Sequence, residues 1–451
     1  MTLFENRRLE ISKTVFMRAT EQLATQLYNQ LVGWRSGIVK EVHEPPHLEG
    51  EPKIYNYACR TCDLSRLGRE GTSMTCGGAG FFPDEAMLAC LGEAVERYCC
   101  QFYKEEDLLL STYDDICEQA INPLSIAIFS NEQYLRPSFP FSPLTCKTPV
   151  WWVEAHSLTK QHYRYVPACI VYMPYGIRDP EPPITPAIST GLSCDCSFEQ
   201  AAMKGLCEVV ERDAFTITWL KRVPTTELID IPADIKETFN YGLIEYHAYD
   251  LTSDAGIPVY LVLSRGNSDF GELTTVGVAS SLEPVEALRK AFLENAQGRL
   301  CLRALKRERS DWTISENFMN VLTFDDHAMV LTTKPELLDR LDFLGAKGKR
   351  AFNANPEQRF SDVRMALSMC VQRLASIGLE VFVKDLTTED VKSLGLHVVR
   401  IIVPGMQPLH GTHLLPFLGG KRLERTGEIF NVSEDDILPA GRFNPIPHPL
   451  P

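Results

Sequence analysis

No apolar run in the 451-residue chain approaches the ~20 residues needed to span a bilayer. The best stretch, 396–403, is interrupted by His397 and Arg400. A secretory signal is missing as well, because Met1-Thr2-Leu3-Phe4-Glu5-Asn6-Arg7-Arg8 has no apolar core and no small-residue cleavage site. These absences predict a cytoplasmic protein without a membrane partner. Basic charge is in deficit, with 45 Lys and Arg against 59 Asp and Glu and a formal net charge of −14, a balance that repels bulk nucleic acid. No nucleic-acid partner is expected. In a reducing compartment the 14 cysteines read as small buried hydrophobes, not as a disulfide framework. Cys59-x-x-Cys62 and Cys194-x-Cys196 lack a second pair or a histidine at zinc-finger spacing, so they do not read as structural zinc sites. No G-x-x-x-x-G-K-[ST] segment occurs, which removes the ordinary P-loop route to nucleotide binding.

What is present is a globular composition, 44% hydrophobic and 23% charged, with length for two to four packed units at ~150 residues each. A helical pattern over 13–31 precedes a loop rich in Glu, His and Pro, and residues 1–55 read as an N-terminal helical extension. Beyond it, periodicity predicts helices over 84–103, 197–220, 283–305 and 361–377. Strands are predicted over 150–155, 165–173, 257–263, 379–384 and 397–403. Helices and strands without strict βαβ alternation predict an α+β fold. The body is expected to run over 56–440, followed by a proline-rich tail over 441–451.

Three of the helices repeat. With Ala86, Ala201 and Ala287 aligned, an acidic column forms from Glu93, Glu208 and Glu294, and three residues on stand Glu96, Glu211 and Gln297. The first two copies then add Arg97 and Arg212. Each copy follows a small-residue stretch: Gly77-Gly78-Ala79-Gly80, Ser189-Thr190-Gly191-Leu192-Ser193 or Gly277-Val278-Ala279-Ser280-Ser281. Residues three apart share a helix face, so each Glu-x-x-Glu puts two carboxylates together. Like charges that close are costly without a positive partner. The arginines supply part of it, and paired hard oxygens suit Mg²⁺ held together with phosphates. The glycine-bearing stretches would offer backbone N–H groups and helix N-termini to phosphate oxygens. A solvated acidic face is the ordinary alternative for one copy; recurrence within otherwise apolar helices favours a shared polar site.

These motifs resemble the YcaO family. The resemblance rests on Gly-Gly-Ala-Gly ahead of Glu93-Ala94-Val95-Glu96-Arg97, on the 189–193 stretch ahead of Glu208-Val209-Val210-Glu211-Arg212, and on Glu294-Asn295-Ala296-Gln297-Gly298-Arg299. Lys384-Asp385-Leu386-Thr387 and the 397–405 segment match later strands of the family. The resemblance implies an enzyme that uses ATP and Mg²⁺ to activate backbone amides. Glu93, Glu96, Glu208 and Glu211 would hold the metal, and Arg97, Ser193, Arg212, Glu294, Gln297 and Arg299 would complete the nucleotide pocket. Ala79 and Cys90 depart from the family pattern, where many members carry Lys and Ser.

The ending Pro445-Ile446-Pro447-His448-Pro449-Leu450-Pro451 has proline at every second position, a stiff extended segment. It is similar to the ending of the azoline-forming branch. That likeness implies a tail entering the active site with the Pro451 carboxylate as general base and Arg212 sharing the phosphate charge. The implied reaction converts Cys, Ser or Thr of a ribosomally made precursor peptide to thiazoline or oxazoline. The implied partners are a separate ubiquitin-activating-enzyme-like protein that binds the leader, since about 55 residues precede the matching region, and a flavin-dependent azoline dehydrogenase. Thioamide or amidine formation, or a docking scaffold, are the alternatives. Among other conspicuous residues, one of Trp151 and Trp152 is expected in the core, His410 and His413 read as loop or core histidines, His448 as packed or solvent-facing, and Lys421 and Arg422 as surface or phosphate contacts.

Overall fold

The computed structural model describes residues 18–47, 49–67, 73–239, 243–353, 360 and 362–450. Three sheets organise the chain. The first is β1 (Val39–His43), β2 (Tyr55–Thr61) and β3 (Thr75–Gly80). The second has the order β4 (Leu109–Ser111), β5 (Val150–Ser157), β13 (Phe382–Asp385), β14 (His397–Ile402) and β7 (Leu192–Asp195), with β6 (Tyr163–Pro167) paired to β5. The third runs β11 (Gly271–Ser280), β10 (Val259–Ser268), β9 (Ile244–Asp250), β8 (Thr226–Ile229) and β12 (Lys349–Ala351). Neighbouring strands are antiparallel apart from β12 on β8. The longer helices are α1 (residues 18–31), α2 (Pro83–Cys99), α3 (Phe198–Lys221), α4 (Pro284–Glu308), α5 (Phe324–Thr333) and α6 (Val363–Ser376). The α+β class predicted from the pattern is the class observed. No helix among the described residues is long and apolar enough to cross a membrane.

Local chemistry sets the helix ends. Ser197 caps α3 by accepting the Gln200 N–H, and Pro83 and Pro284 open α2 and α4, where a missing N–H costs nothing. The strand expected over 165–173 stops early: β6 ends at Pro167, which has no N–H for the ladder, and a 3₁₀ turn follows over Ala168–Ile170. The small-residue stretches ahead of the repeated helices are strands or lead into them. Their glycines allow contact with the helix backbone: a Cβ on Gly78 would lie 2.2 Å from the Cys90 nitrogen, and one on Gly277 2.2 Å from the Ala291 oxygen. In the second copy the glycine sits on the helix, where a Cβ on Gly205 would lie 2.8 Å from the Gly191 oxygen.

Helix α3 packs on β7 and β14 on one side and on β10 and β11 on the other, so its face toward neither sheet is small. Phe215 and Trp219 fill that interlayer core. Trp152 is the member of the tryptophan pair in the core, its indole N–H donating to the Ser111 carbonyl.

Two features of the packing bear on the sequence reading. The boundary near residue 55 is crossed: β1 pairs with β2, Leu27 and Leu31 of α1 enter the core, and buried Glu51 accepts from Arg299 at 2.7 and 3.0 Å. The described part of the first 55 residues thus contributes a helix and a strand to the same packed body as the sheets that follow. Arg422 is not on the surface. It is buried and grips Asp213 with bonds of 2.9 Å from Nε and Nη2, while also reaching Asp254 at 2.6 Å. A guanidinium buried among apolar side chains needs such paired acids; Lys421 beside it stays exposed.

Candidate active site

The three repeated strand–helix units close into a ring. In the first two, the first acid of the helix is held by a backbone N–H of its own strand segment, Glu93 by Gly77 at 2.8 Å and Glu208 by Gly191 at 3.2 Å, and in the third the Val278 amide acts to lower the Glu294 carboxyl. The second position reaches the next unit. Glu96 of α2 accepts from Cys194 of β7 at 2.8 Å, and Glu211 of α3 accepts from Ser280 of β11 at 3.2 Å. Gln297 of α4 completes the circuit, since a Cβ added to Gly77 of β3 would meet its Nε2 at 3.2 Å. The strand N–H groups of Gly77 and Gly191, expected to face phosphate, are thus taken by carboxylates. A fixed acid is the consequence, because each Glu is pinned by an amide before any ligand arrives.

The charges converge. Arg97 lies 3.2 Å from Glu93, and the Arg212 Nε lies 3.4 Å from Glu211 and 4.0 Å from Glu208. Burial pushes the Glu96 carboxyl up to about 8; Arg97 opposes the shift, and the charges of Glu93 and Glu208 add to it. Burial likewise raises Glu211 against the opposing Arg212, with Glu294 and Glu208 contributing. Glu294 is raised too, burial outweighing the pull of Lys290 and Arg212. Arg400, in the middle of β14, is pulled down to about 10 by burial, with Glu208 resisting. Glu208 thus acts on Glu96, Glu211, Glu294, Arg212 and Arg400 alike. Arg400 and Lys290 were not among the residues singled out from sequence; a cation inside the apolar strand 397–402 was the available signal for Arg400.

Four buried guanidinium nitrogens here have no partner among the described residues: Nη1 of Arg97, Nη1 of Arg212, and Nε and Nη1 of Arg400. Buried donors without acceptors are rare in folded proteins. Phosphate oxygens would satisfy them, and a divalent cation would compensate carboxylates that burial otherwise drives toward protonation. The residues present thus fit Mg²⁺ and a nucleotide. Glu93, Glu96, Glu208 and Glu211 are the oxygens that would hold the ion, and Arg97, Arg212 and Arg400 the donors for phosphate.

A pH signature follows for the metal-free protein. The unfolded Glu96 carboxyl ionises near its ordinary 4.5 and the folded one near 8. Between those values the folded state holds the extra proton, so the stability this group contributes falls as pH rises from about 4.5 to about 8. Thermal melts across that window should show the fall without Mg²⁺ and ATP and a smaller one with them. A melting temperature independent of both pH and ligand would remove Glu96 from the site.

The remaining predicted residues fall in different places. Ser193 is buried, and its hydroxyl donates to the Ala201 carbonyl at the start of α3. Arg299 pairs with Glu51 through Nε and Nη2, while its buried Nη1 has no partner among the described residues. Ala79 packs against an apolar cluster that includes Phe239 and Phe292, and the Cys90 carbonyl accepts from the Cys59 thiol. Pro451 lies outside the described residues. The tail before it is buried from Ile446 to Leu450. Trp219 of α3 donates to the Ile446 carbonyl at 2.8 Å, and His448 sits between Phe215 and His327 and feels the charge of Arg212. The tail therefore docks on the helix that carries Glu208, Glu211 and Arg212.

A family model described as YcaO cyclodehydratase, ATP- and Mg²⁺-binding, matches residues 77–407. The chain is 26% identical over 349 residues to an uncharacterized protein of Methanothermobacter thermautotrophicus, covering 75% of this chain and 83% of that one. It is 26% identical over 274 residues to a Rhizobium leguminosarum bv. trifolii protein from the tfuA 3′ region, covering 57% and 61%. Its fold is similar to that of a heterocyclase solved in complex with substrate and cofactor, with a TM-score of 0.75 and 23% identity over 96% of this chain; the match spans 57% of that chain. It is similar as well to YcaO from Methanopyrus kandleri bound with AMPPCP and Mg²⁺, with a TM-score of 0.60, 20% identity and coverage of 87% and 91%. With the family model spanning most of the sequence and the acidic helices arranged as described, the chain belongs to the YcaO family of ATP- and Mg²⁺-binding proteins.

Proposed function

We propose that the protein is an azoline-forming cyclodehydratase acting on a ribosomally made precursor peptide. The observation that carries this reading within the family is the buried proline-rich tail lying against α3, the helix that carries Arg212. A side-chain thiol or hydroxyl of the peptide attacks the preceding carbonyl carbon, and the amide oxygen leaves as phosphate, closing a thiazoline or oxazoline ring. ATP with Mg²⁺ supplies the phosphoryl group that makes this oxygen a leaving group. The chain's own residues hold and orient: Arg97, Arg212 and Arg400 place unpartnered N–H groups where charge develops, in a site largely closed to water. The Pro451 carboxylate is assigned as the general base that removes the amide proton. A microcin synthetase of similar fold, with a TM-score of 0.57, was solved as the McbBCD complex. That assembly supports the reading that this chain works with partner proteins, for which the resemblance to the azoline-forming branch implies a leader-binding protein resembling ubiquitin-activating enzymes and a flavin-dependent dehydrogenase.

Reconstitution with precursor, leader-binding partner, ATP and Mg²⁺ should release phosphate and remove the mass of one water per ring. Exchange of oxygen for sulfur, loss of water at the expense of an amine with every Cys, Ser and Thr side chain intact, or an unchanged peptide mass would overturn the azoline reading. No phosphate release from the complete mixture would favour a docking scaffold.

A further inference from the structure

Three histidines from distant parts of the chain meet where the tail is buried. His327 lies on α5, His410 in the segment after β14 and His448 in the tail, and they are 0%, 4% and 1% exposed. One nitrogen of each, taken together, lie within 4.8 Å of one another. The His327 Nδ1 is bonded to the His448 carbonyl at 2.7 Å, and the His448 Nε2 to the His410 carbonyl at 2.7 Å. A carbonyl accepts only, so both nitrogens carry the proton and the opposite nitrogens, His327 Nε2 and His448 Nδ1, present lone pairs. Those two and the His410 Nδ1 are buried with no partner among the described residues. Three unsatisfied ring nitrogens in one dry place are unusual, and two of them are fixed as acceptors.

Neutral imidazoles with in-plane lone pairs are ligands of borderline divalent ions. We propose that His327, His410 and His448 form a binding site for a divalent transition metal of the zinc type, which clamps the C-terminal tail to the body of the protein. The second nitrogens of His327 and His448 already carry the carbonyl bonds that orient metal-bound histidines. The His327 and His448 rings lie nearly parallel with centroids 3.8 Å apart. Coordination would draw the three nitrogens from within 4.8 Å of one another toward the ~3.4 Å spacing that bonds of ~2.0 Å to a tetrahedral ion require. His410, edge-on to His448 at 4.8 Å, closes the third side. Histidines at three positions so far apart in sequence have no spacing motif, which is why the pattern around His410 and His413 alone did not reveal a metal site. The site is separate from the glutamate ring, and its occupancy is measured without peptide or ATP, so its failure would leave the cyclodehydratase reading standing.

The test is Co²⁺ titration of the full chain after chelator treatment, followed by Zn²⁺ competition. One equivalent should bind with visible bands of tetrahedral nitrogen and oxygen ligation and no thiolate-to-metal charge transfer, and Zn²⁺ should displace it. His410→Ala, and separately His448→Phe, which keeps a ring in the stack, should each weaken binding at least about tenfold. Absence of a tetrahedral spectrum, a sulfur charge-transfer band from the cysteines, or affinity unchanged in both variants would each overturn the proposal.

Discussion

Glu208→Gln combined with Glu211→Gln should weaken binding of ATP in the presence of Mg²⁺ by more than about 100-fold while the protein stays folded. Both substitutions keep the shape, and an amide oxygen still accepts from the Gly191 and Ser280 N–H groups that hold these side chains. Only two negative charges disappear. Interactions with charged groups are worth about 1.5–3 kcal/mol each, so two of them correspond to roughly two to four orders of magnitude in affinity. In the ligand-free protein the double variant should also melt lower, because buried Arg212 loses both of its ion-pair partners, a cost that relief of the Glu211 burial penalty offsets only in part. Calorimetric titration with ATP at fixed Mg²⁺, alongside thermal melts, separates these outcomes. Unaltered affinity would place the nucleotide elsewhere.

Removal of Leu450 and Pro451 should lower ring formation by about a thousandfold, the size of a general-base contribution, while ATP affinity changes by less than about twofold. The tail is packed by Trp219, Phe215 and His327, none of which belongs to the acidic ring, so the glutamates and arginines keep their positions. Leu450 is itself buried in the main core, and its loss alone should cost about 2 kcal/mol. Leu450→Ala supplies the control: it removes the apolar anchor but keeps the terminal carboxylate. Ring formation retained in the truncated protein would rule out Pro451 as the base. Equal loss in Leu450→Ala would assign the effect to tail docking.

The repeat was readable because it is local. Glu93 and Glu96, or Glu208 and Glu211, share a face at a spacing that any helix imposes, and the arginine that follows is within reach of the same face. Helix positions were recovered for the same reason, with α3 and α4 displaced by a residue or a few at their ends. The glycine stretches were harder. Their small residues look like loops until it is known that a helix crosses at contact distance, and that is a property of the neighbour. Arg299 carries the family motif, and its partner Glu51 stands 248 positions earlier in the chain, where no spacing rule could have paired them.

Composition and periodicity by themselves determined the α+β class, the acidic helices and the chemistry that paired carboxylates and arginines favour, since these depend on residues within a few turns of one another. The tertiary structure alone decided that the three units close into a ring, that Arg400 and Lys290 join it, and that Arg422 is buried on Asp213. It also decided that His327, His410 and His448 share one dry place. The physical reason is the range of the forces: backbone geometry fixes which side chains share a helix face, whereas burial, shared charge and orphaned nitrogens arise between segments far apart, once strand pairing has brought them together.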